Sequence, residues 1–501
     1  MRARLVVGLT LLAAAFAIYG GTLHGRFLGD DFIWLYDASR TESVRDLFGL
    51  HHADFARHDG IRLAPLELAF FWALERPFGP TPLPFHCAVV MLVALDAFLL
   101  HLWVRRITRS DSAGIVAAVT FLVYPLHREP GGWLSAVNEP LLGAASLACL
   151  LAFARARTSD STAARISCWL ALVCALLCKE SAVFLPLVLL AADLLLFAPL
   201  SWRSRMRTHL PLWLLVGAIL AWQAATVTAM RGTLQGVQRP NPPLTVAAGT
   251  VRYVAGLFTG FDAVRGMPPG GELAPSLEGR LAALLALALY AASWGVLAGA
   301  ARRTEETDGP PPAGPLAFQL AWLPLAVMPY ALMVPGAPLQ DRYAWQGSIA
   351  LAGAVGCLWA RLATTPDMKK RLGLTLLVLW TGCAWTLSGT LRDLAQPDDT
   401  AVLATQVREA TSRLGEQGRA YVYQQPGEQH SAGRAVALFA DLPPHRIGSW
   451  YDVLNRGLEP EDAMILFDPA RRTFTELSPQ VRRALSALSL IHISEPTRPE
   501  R

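Results

Sequence analysis

Charge is scarce in this sequence. Of its 501 residues 17% are Asp, Glu, Lys or Arg, 53% are hydrophobic, and the mean hydropathy is +0.34. Soluble domains carry about 25% charged residues, so this composition excludes a water-soluble fold for most of the chain. Cysteine is also sparse. All seven (Cys87, Cys149, Cys168, Cys174, Cys178, Cys357 and Cys383) fall inside apolar runs, where thiols behave as small apolar groups. That placement leaves no disulfide framework and no zinc spacing. No internal repeat, no inverted pair of broken spans and no feature pointing to a nucleic-acid partner is visible.

What the sequence does have is long apolar stretches. A membrane-spanning helix needs about 20 mostly apolar residues. Eleven stretches qualify: 3–22, 84–104, 112–127, 140–155, 165–179, 182–200, 209–229, 280–301, 315–335, 345–361 and 371–389. The expected fold is therefore an all-α polytopic membrane protein of about eleven transmembrane helices. The first span follows Met1-Arg2-Ala3-Arg4 but lacks a small-x-small cleavage site, so it reads as an uncleaved anchor.

Arginine positions set the orientation, because short cytoplasmic loops are enriched in Lys and Arg. Arg105-Arg106 with Arg109, Arg155 to Arg165, Arg203 to Arg207, Arg302-Arg303 and Lys369 to Arg371 all fall on the side of the N-terminus if the spans alternate. That side is expected to be the cytoplasm. The loops at 23–83, 128–139, 230–279 and 336–344, the 179–181 turn and the residues after about 390 then face outward.

Three boundaries follow. Residues 1–390 form the membrane domain, with 302–314, "RRTEETDGPPPAG", as a charged linker between two spans. Residues 391–487 read as a partial exported α/β domain, an amphipathic helix followed by a short strand at Ala420 to Tyr423. Residues 488–501 include "LSLIHISEPTR", which looks like the translation of a sequencing-library adapter and is set aside as an artefact. Leu244 to Phe258 in the 230–279 loop could form an interfacial helix or an ordinary buried one.

Ionisable residues near membrane spans mark function, and on the outward face they form four groups. "RFLGDDFIWLY" sets Asp30 and Asp31 among aromatics, where loss of water would raise a carboxyl pKa toward that of a base. An aromatic belt with two solvated acids is the plainer reading. "YPLHREPGGWLSAVNEP" brings His127, Arg128, Glu129, Trp133, Asn138 and Glu139 into a loop that prolines and glycines keep from being a simple hairpin. Lys179-Glu180 interrupts an apolar run. It is either a neutralised turn or a phosphate site, since an ammonium suits that anion. "PLQDRYAWQGS" supplies Asp341, Arg342 and Tyr343, with Arg342 able to fork onto a phosphate or pair with Asp341. His51, His52, Asp54, His58 and Asp59 are too irregularly spaced to argue for a metal.

In this order, the four groups resemble the GT-C superfamily of polytopic glycosyltransferases, nearest its protein O-mannosyltransferase and TMTC-like branch and bacterial relatives. "LGDDF" matches that branch's acidic pair, "YPLHREPGGWLSAVNEP" its "HP-x-H-x-E" followed by "W-x-S-x-x-x-(D/E)", Lys179-Glu180 its span-opening pair, Asp341-Arg342-Tyr343 its late motif, and "PLPFHCAVV" with His86 its Phe-His start of a span. The likeness covers about 25–390. Tyr124 replaces the family's His before Pro125, its "Y/F-R-P-L" is split as "IRLAPL", and tetratricopeptide repeats are lacking after 390.

The resemblance implies an inverting sugar transfer from a polyprenyl-phosphate-linked donor to an acceptor protein, lipid or glycan. It also implies a site on the periplasmic side of the inner (cytoplasmic) membrane. Asp30 or Asp31 would be the base, and Lys179 and Arg342 would hold the donor phosphate. His86, His127, Glu129, Asn138, Glu139, Glu180, Asp341 and Tyr343 would shape the site. Some members of the superfamily use a divalent cation, which no residue here demands. A glycan ligase, a transporter or flippase of lipid-linked sugars, and an inactive scaffold are the rival readings.

Overall fold

A computed structural model describes residues 2–48, 64–159, 161–231, 241–259, 288, 290, 314–333, 340–395, 397–423, 429–449, 459, 461–468 and 470–477. The first-loop histidine cluster, the 302–313 linker, most of the span expected at 280–301 and the adapter-like tail lie outside these residues.

Six described helices are long and apolar enough to cross a membrane: Arg2–His24, Pro82–Thr108, Leu134–Ser159, Trp202–Thr226, Gly314–Leu332 and Pro366–Leu394. They make this a multi-pass membrane protein. Shorter apolar helices, Asp111–Leu122 and Thr162–Cys178, lie where two further spans are expected. The chain divides into two compact units. One comprises Met1–Gly25, Leu63–Glu67 and Phe85–Gln396, and the other Arg26–Arg62, Leu68–Pro84 and Pro397–Arg501.

In the first unit the arginine-rich turns are built by side-chain caps. Ser110 accepts from the Ala113 amide, Ser161 from Ala164 and Thr365 from Met368, each satisfying an orphan donor at a helix start directly after the preceding helix ends. Close by, buried Asp193 accepts from Arg157 Nε at 2.5 Å and Arg205 Nε at 3.3 Å, with His209 Nε2 at 3.5 Å. Three helices, Asn138–Ser159, Leu185–Leu196 and Trp202–Arg231, are thus tied through one carboxylate. Asp193→Ala is expected to cost about 3 kcal/mol, the low end for breaking a buried pair because both arginines keep some water contact. The check is thermal unfolding of the purified protein in detergent.

The Pro243–Thr259 helix covers the stretch expected as an interfacial or buried helix. Its Tyr253, Val254, Ala255 and Leu257 are buried, Gly249 rests on Ala331, and Asn241 donates to the carbonyls of Ala331 and Leu332. It is a helix packed on Gly314–Met333, although Leu244 at its start stays 83% exposed.

The second unit contains a four-stranded sheet in the order β2-β1-β3-β4, with β1 Ala420–Tyr423, β2 Ile447–Ser449, β3 Ala463–Asp468 and β4 Thr473–Glu476. β1 runs parallel to β2 and β3, and β4 is antiparallel to β3. The Gln429–Phe439 helix connects β1 to β2 as a crossover, the connection parallel neighbours require. Thr400–Thr411 is the amphipathic helix expected ahead of the strand. Most of 23–83, the expected first outer loop, falls in this second unit. Phe32 meets Phe439 edge to face at 5.7 Å, and Asp399 bridges Arg26 and Arg472, both at 3.2 Å.

Candidate active site

The first unit gathers one polar cluster at the ends of its helices. It starts at Lys179, which closes the Thr162–Cys178 helix with extended backbone. Its side chain is 5% exposed and forms an ion pair with fully buried Glu139, the second residue of Asn138–Ser159. Lys179 Nζ lies 3.5 Å from Asn138 Oδ1, and Asn138 Nδ2 donates to Glu67 Oε1 at 2.9 Å. Tyr330 donates its hydroxyl to the Glu139 carboxylate, 3.2 and 3.1 Å from its two oxygens. Two carboxylates, an amide, an ammonium and a phenol are therefore linked where water is excluded, the setting in which each pairing matters most.

Aromatic faces continue the cluster. Tyr330 and Tyr343 stack at 4.4 Å, and Lys179 Nζ sits 5.0 Å from both ring centres. The Arg342 guanidinium carbon lies 4.8 Å from the Trp133 ring and 5.2 Å from the Tyr343 ring. Its backbone amide donates to Glu129 Oε2 at 3.2 Å, which locks the short turn Asp341–Ala344 to the loop before Asn138. Asp341 is taken by Arg128 at 3.0 Å, and Arg342 makes no ion pair among the described residues. The alternative pairing of Arg342 with Asp341 is therefore not the one adopted.

His127 supports this loop from behind. Fully buried, it is 3.2 Å from Tyr19 Oη at Nδ1 and 2.7 Å from Ser348 Oγ at Nε2, and it lies against Trp345. These contacts hold the loop in place.

Asp30 and Asp31 belong to the second unit. Gly29 has φ +43°, a left-handed conformation that favours glycine, and it turns the chain into the Asp31–Arg40 helix. Asp31 is fully buried, and its Oδ2 accepts from the Leu28 amide at 2.8 Å, closing that turn. Asp30 occupies the N-cap position, is solvent exposed and makes no capping hydrogen bond through its side chain. The desolvation expected around the acid pair applies to Asp31 alone.

Among the other expected residues, Tyr343 joins the cluster, and Glu129 and Asp341 fix its turn. His86 is buried in the same unit, close enough to Gly25 that a Cβ there would stand 3.0 Å from its Nε2. Glu180 is exposed, at the start of the Glu180–Phe184 turn. Tyr330 and Glu67 escaped sequence reading. The signal was present in each, a phenol within the Gly314–Met333 helix and a carboxylate in the apolar run "PLELAFFW". No group of three or more potential metal ligands occurs among the described residues.

No protein-family model matches the sequence, and no curated protein matches it. Among solved structures the chain is similar to ArnT from Cupriavidus metallidurans bound to undecaprenyl phosphate, at 13% identity and TM-score 0.43, covering 96% of this chain and 94% of that one. It is also similar to the archaeal oligosaccharyltransferase AglB from Archaeoglobus fulgidus in complex with an inhibitory peptide and a dolichol-phosphate. There the identity is 11% and the TM-score 0.43, over 89% of this chain and 64% of that one. Similarity of that degree leaves the function to be read from the residues themselves.

Proposed function

We propose that the chain is a membrane glycosyltransferase of GT-C type that moves a sugar from a polyprenyl-phosphate donor to an acceptor hydroxyl or amine on the outer side of the membrane. The observation that carries this reading is Arg342. Its guanidinium is held over two aromatic faces, beside a buried ion pair, with no carboxylate of its own among the described residues. A planar cation with five donors in a fixed fork suits a phosphate, and aromatic faces fix its orientation.

In the reaction, the bond between the anomeric carbon and the donor phosphate oxygen breaks, and the acceptor oxygen or nitrogen bonds to that carbon from the opposite face. The acceptor proton passes to a carboxylate. Negative charge grows on the departing lipid phosphate, so a fixed cation beside it lowers the barrier. Arg342 is the leading phosphate ligand. The Lys179 charge is largely cancelled by Glu139, so Lys179 contributes less net field and more to fixing the cluster. Asp30, exposed at the helix start, is the leading base, and Asp31 holds the turn that presents it. The scheme routes no step through a divalent cation.

Undecaprenyl phosphate is a suitable probe. The purified protein is expected to bind it, and Arg342→Ala to weaken that binding at least tenfold. With a polyprenyl-phosphate hexose and cell-envelope acceptors in proteoliposomes, sugar should appear on an acceptor. Sugar lipid crossing the bilayer without any transfer would overturn the enzyme reading in favour of a flippase. Comparing glycans in cells with and without the gene identifies the acceptor.

A further inference from the structure

A cavity among the described residues lies at the opposite helix ends from the Lys179 cluster. It has a volume of about 1060 Å³ and is open between the last turns of Pro82–Thr108, Asn138–Ser159, Leu185–Leu196 and Trp345–Leu362 and the first turn of Gly314–Met333. Glu139 and Thr158 occupy opposite ends of one helix, roughly 28 Å apart at about 1.5 Å per residue. The cavity is therefore separate from the proposed catalytic cluster.

Three arginines line it, Arg106, Arg109 and Arg361, and no acidic residue does. None of the three makes an ion pair among the described residues. The nearby Asp111 carboxylate is taken by Arg105 at 2.5 Å, and Asp193 by Arg157 and Arg205. Arg106 is steadied by a hydrogen bond from Nη2 to Thr158 Oγ1 at 2.8 Å. Arg361 Nη1 is buried without any hydrogen-bond partner, a costly state for a guanidinium nitrogen unless a ligand supplies the acceptor. Arg109 has φ +57°, a left-handed conformation that arginine rarely adopts, at the turn between two helices. Such strain is tolerated where surrounding structure or a ligand fixes the side chain. Thr108 and Thr158 add hydroxyls, and the rest of the wall is apolar, with Leu195, Phe197 and Leu316.

We infer that this cavity binds the phosphodiester headgroup of an anionic membrane phospholipid, with Arg106, Arg109 and Arg361 on the phosphate and an acyl chain along Leu195, Phe197 and Leu316. Basic pockets between helices at a membrane surface are the expected places for such headgroups. The apolar wall favours a lipid over a soluble phosphate, which would leave that wall facing water. Three positive charges without a counter-charge favour an anionic lipid over a zwitterionic one.

The full chain, purified in detergent, can be titrated by native mass spectrometry with dioleoyl-phosphatidylglycerol, dioleoyl-phosphatidylcholine and inorganic phosphate. Phosphatidylglycerol is expected to bind at least tenfold more tightly than phosphatidylcholine. Arg106→Gln combined with Arg361→Gln should lose at least tenfold of that affinity. Ala360→Trp fills the cavity and leaves every arginine in place, and it should lose a similar amount even if the double variant unfolds. Equal affinity for the two lipids overturns the inference. So does unchanged phosphatidylglycerol binding in Ala360→Trp, or inorganic phosphate binding as tightly as phosphatidylglycerol.

Discussion

Arg342→Ala is expected to lower sugar transfer by about 10²- to 10³-fold, the usual effect of removing one fixed group that stabilises developing negative charge. The loss should fall mainly on kcat, because charge on the departing phosphate is greatest in the transition state. Arg342→Lys keeps the charge but lacks the planar fork that lies over Trp133 and Tyr343, so it is expected to recover only part of the rate. Release of polyprenyl phosphate from a polyprenyl-phosphate hexose, followed at saturating and limiting donor, measures both parameters. A rate within threefold of wild type in Arg342→Ala would remove this residue from the phosphate site.

Asp30→Asn is expected to cost about 10²- to 10⁴-fold in transfer, the range for loss of a general base, while undecaprenyl phosphate binds as before. Asp31 should behave differently because its carboxylate closes a turn. Asn can still accept the Leu28 amide through its carbonyl oxygen, so Asp31→Asn should retain more activity than Asp31→Ala, which leaves that amide unpaired. The order Asp30→Asn worst, Asp31→Ala next and Asp31→Asn mildest separates a base from a positioning residue. If Asp30→Asn is fully active and Asp31→Asn is dead, the assignment is reversed.

The membrane part was legible because apolar length is a strong signal and few charges compete with it. The helix starts at Asp111, Thr162 and Pro366 also carried their caps in the sequence, as Ser110, Ser161 and Thr365. Within the candidate site, adjacency revealed Lys179-Glu180 and Asp341-Arg342-Tyr343, yet the ion pairs run to other residues. Lys179 pairs with Glu139 rather than Glu180, and Arg128 rather than Arg342 takes Asp341. Local sequence cannot choose among partners that tertiary packing brings from 40 or more residues away. Tyr330 and Glu67 were missed for the same reason, since each is a single polar residue inside an apolar run whose partner, Glu139 or Asn138, lies elsewhere. In the C-terminal segment the Thr400–Thr411 helix and the strand Ala420–Tyr423 were legible. β2 has three residues and β4 four, too short for alternation to register.

Asp399 has a consequence for the timing of assembly. Its carboxylate joins Arg26, just ahead of the acidic turn, to Arg472, whose Nη2 also donates to the Phe27 carbonyl at 3.3 Å. The acidic residues are translated among the first tenth of the chain, but the groups that brace their turn are made near its end. During synthesis Asp30 and Asp31 therefore wait, without that bracing, until the ribosome has passed Arg472. A nascent chain halted before Asp399 would carry the arginine and lysine cluster and still hold its acids loosely.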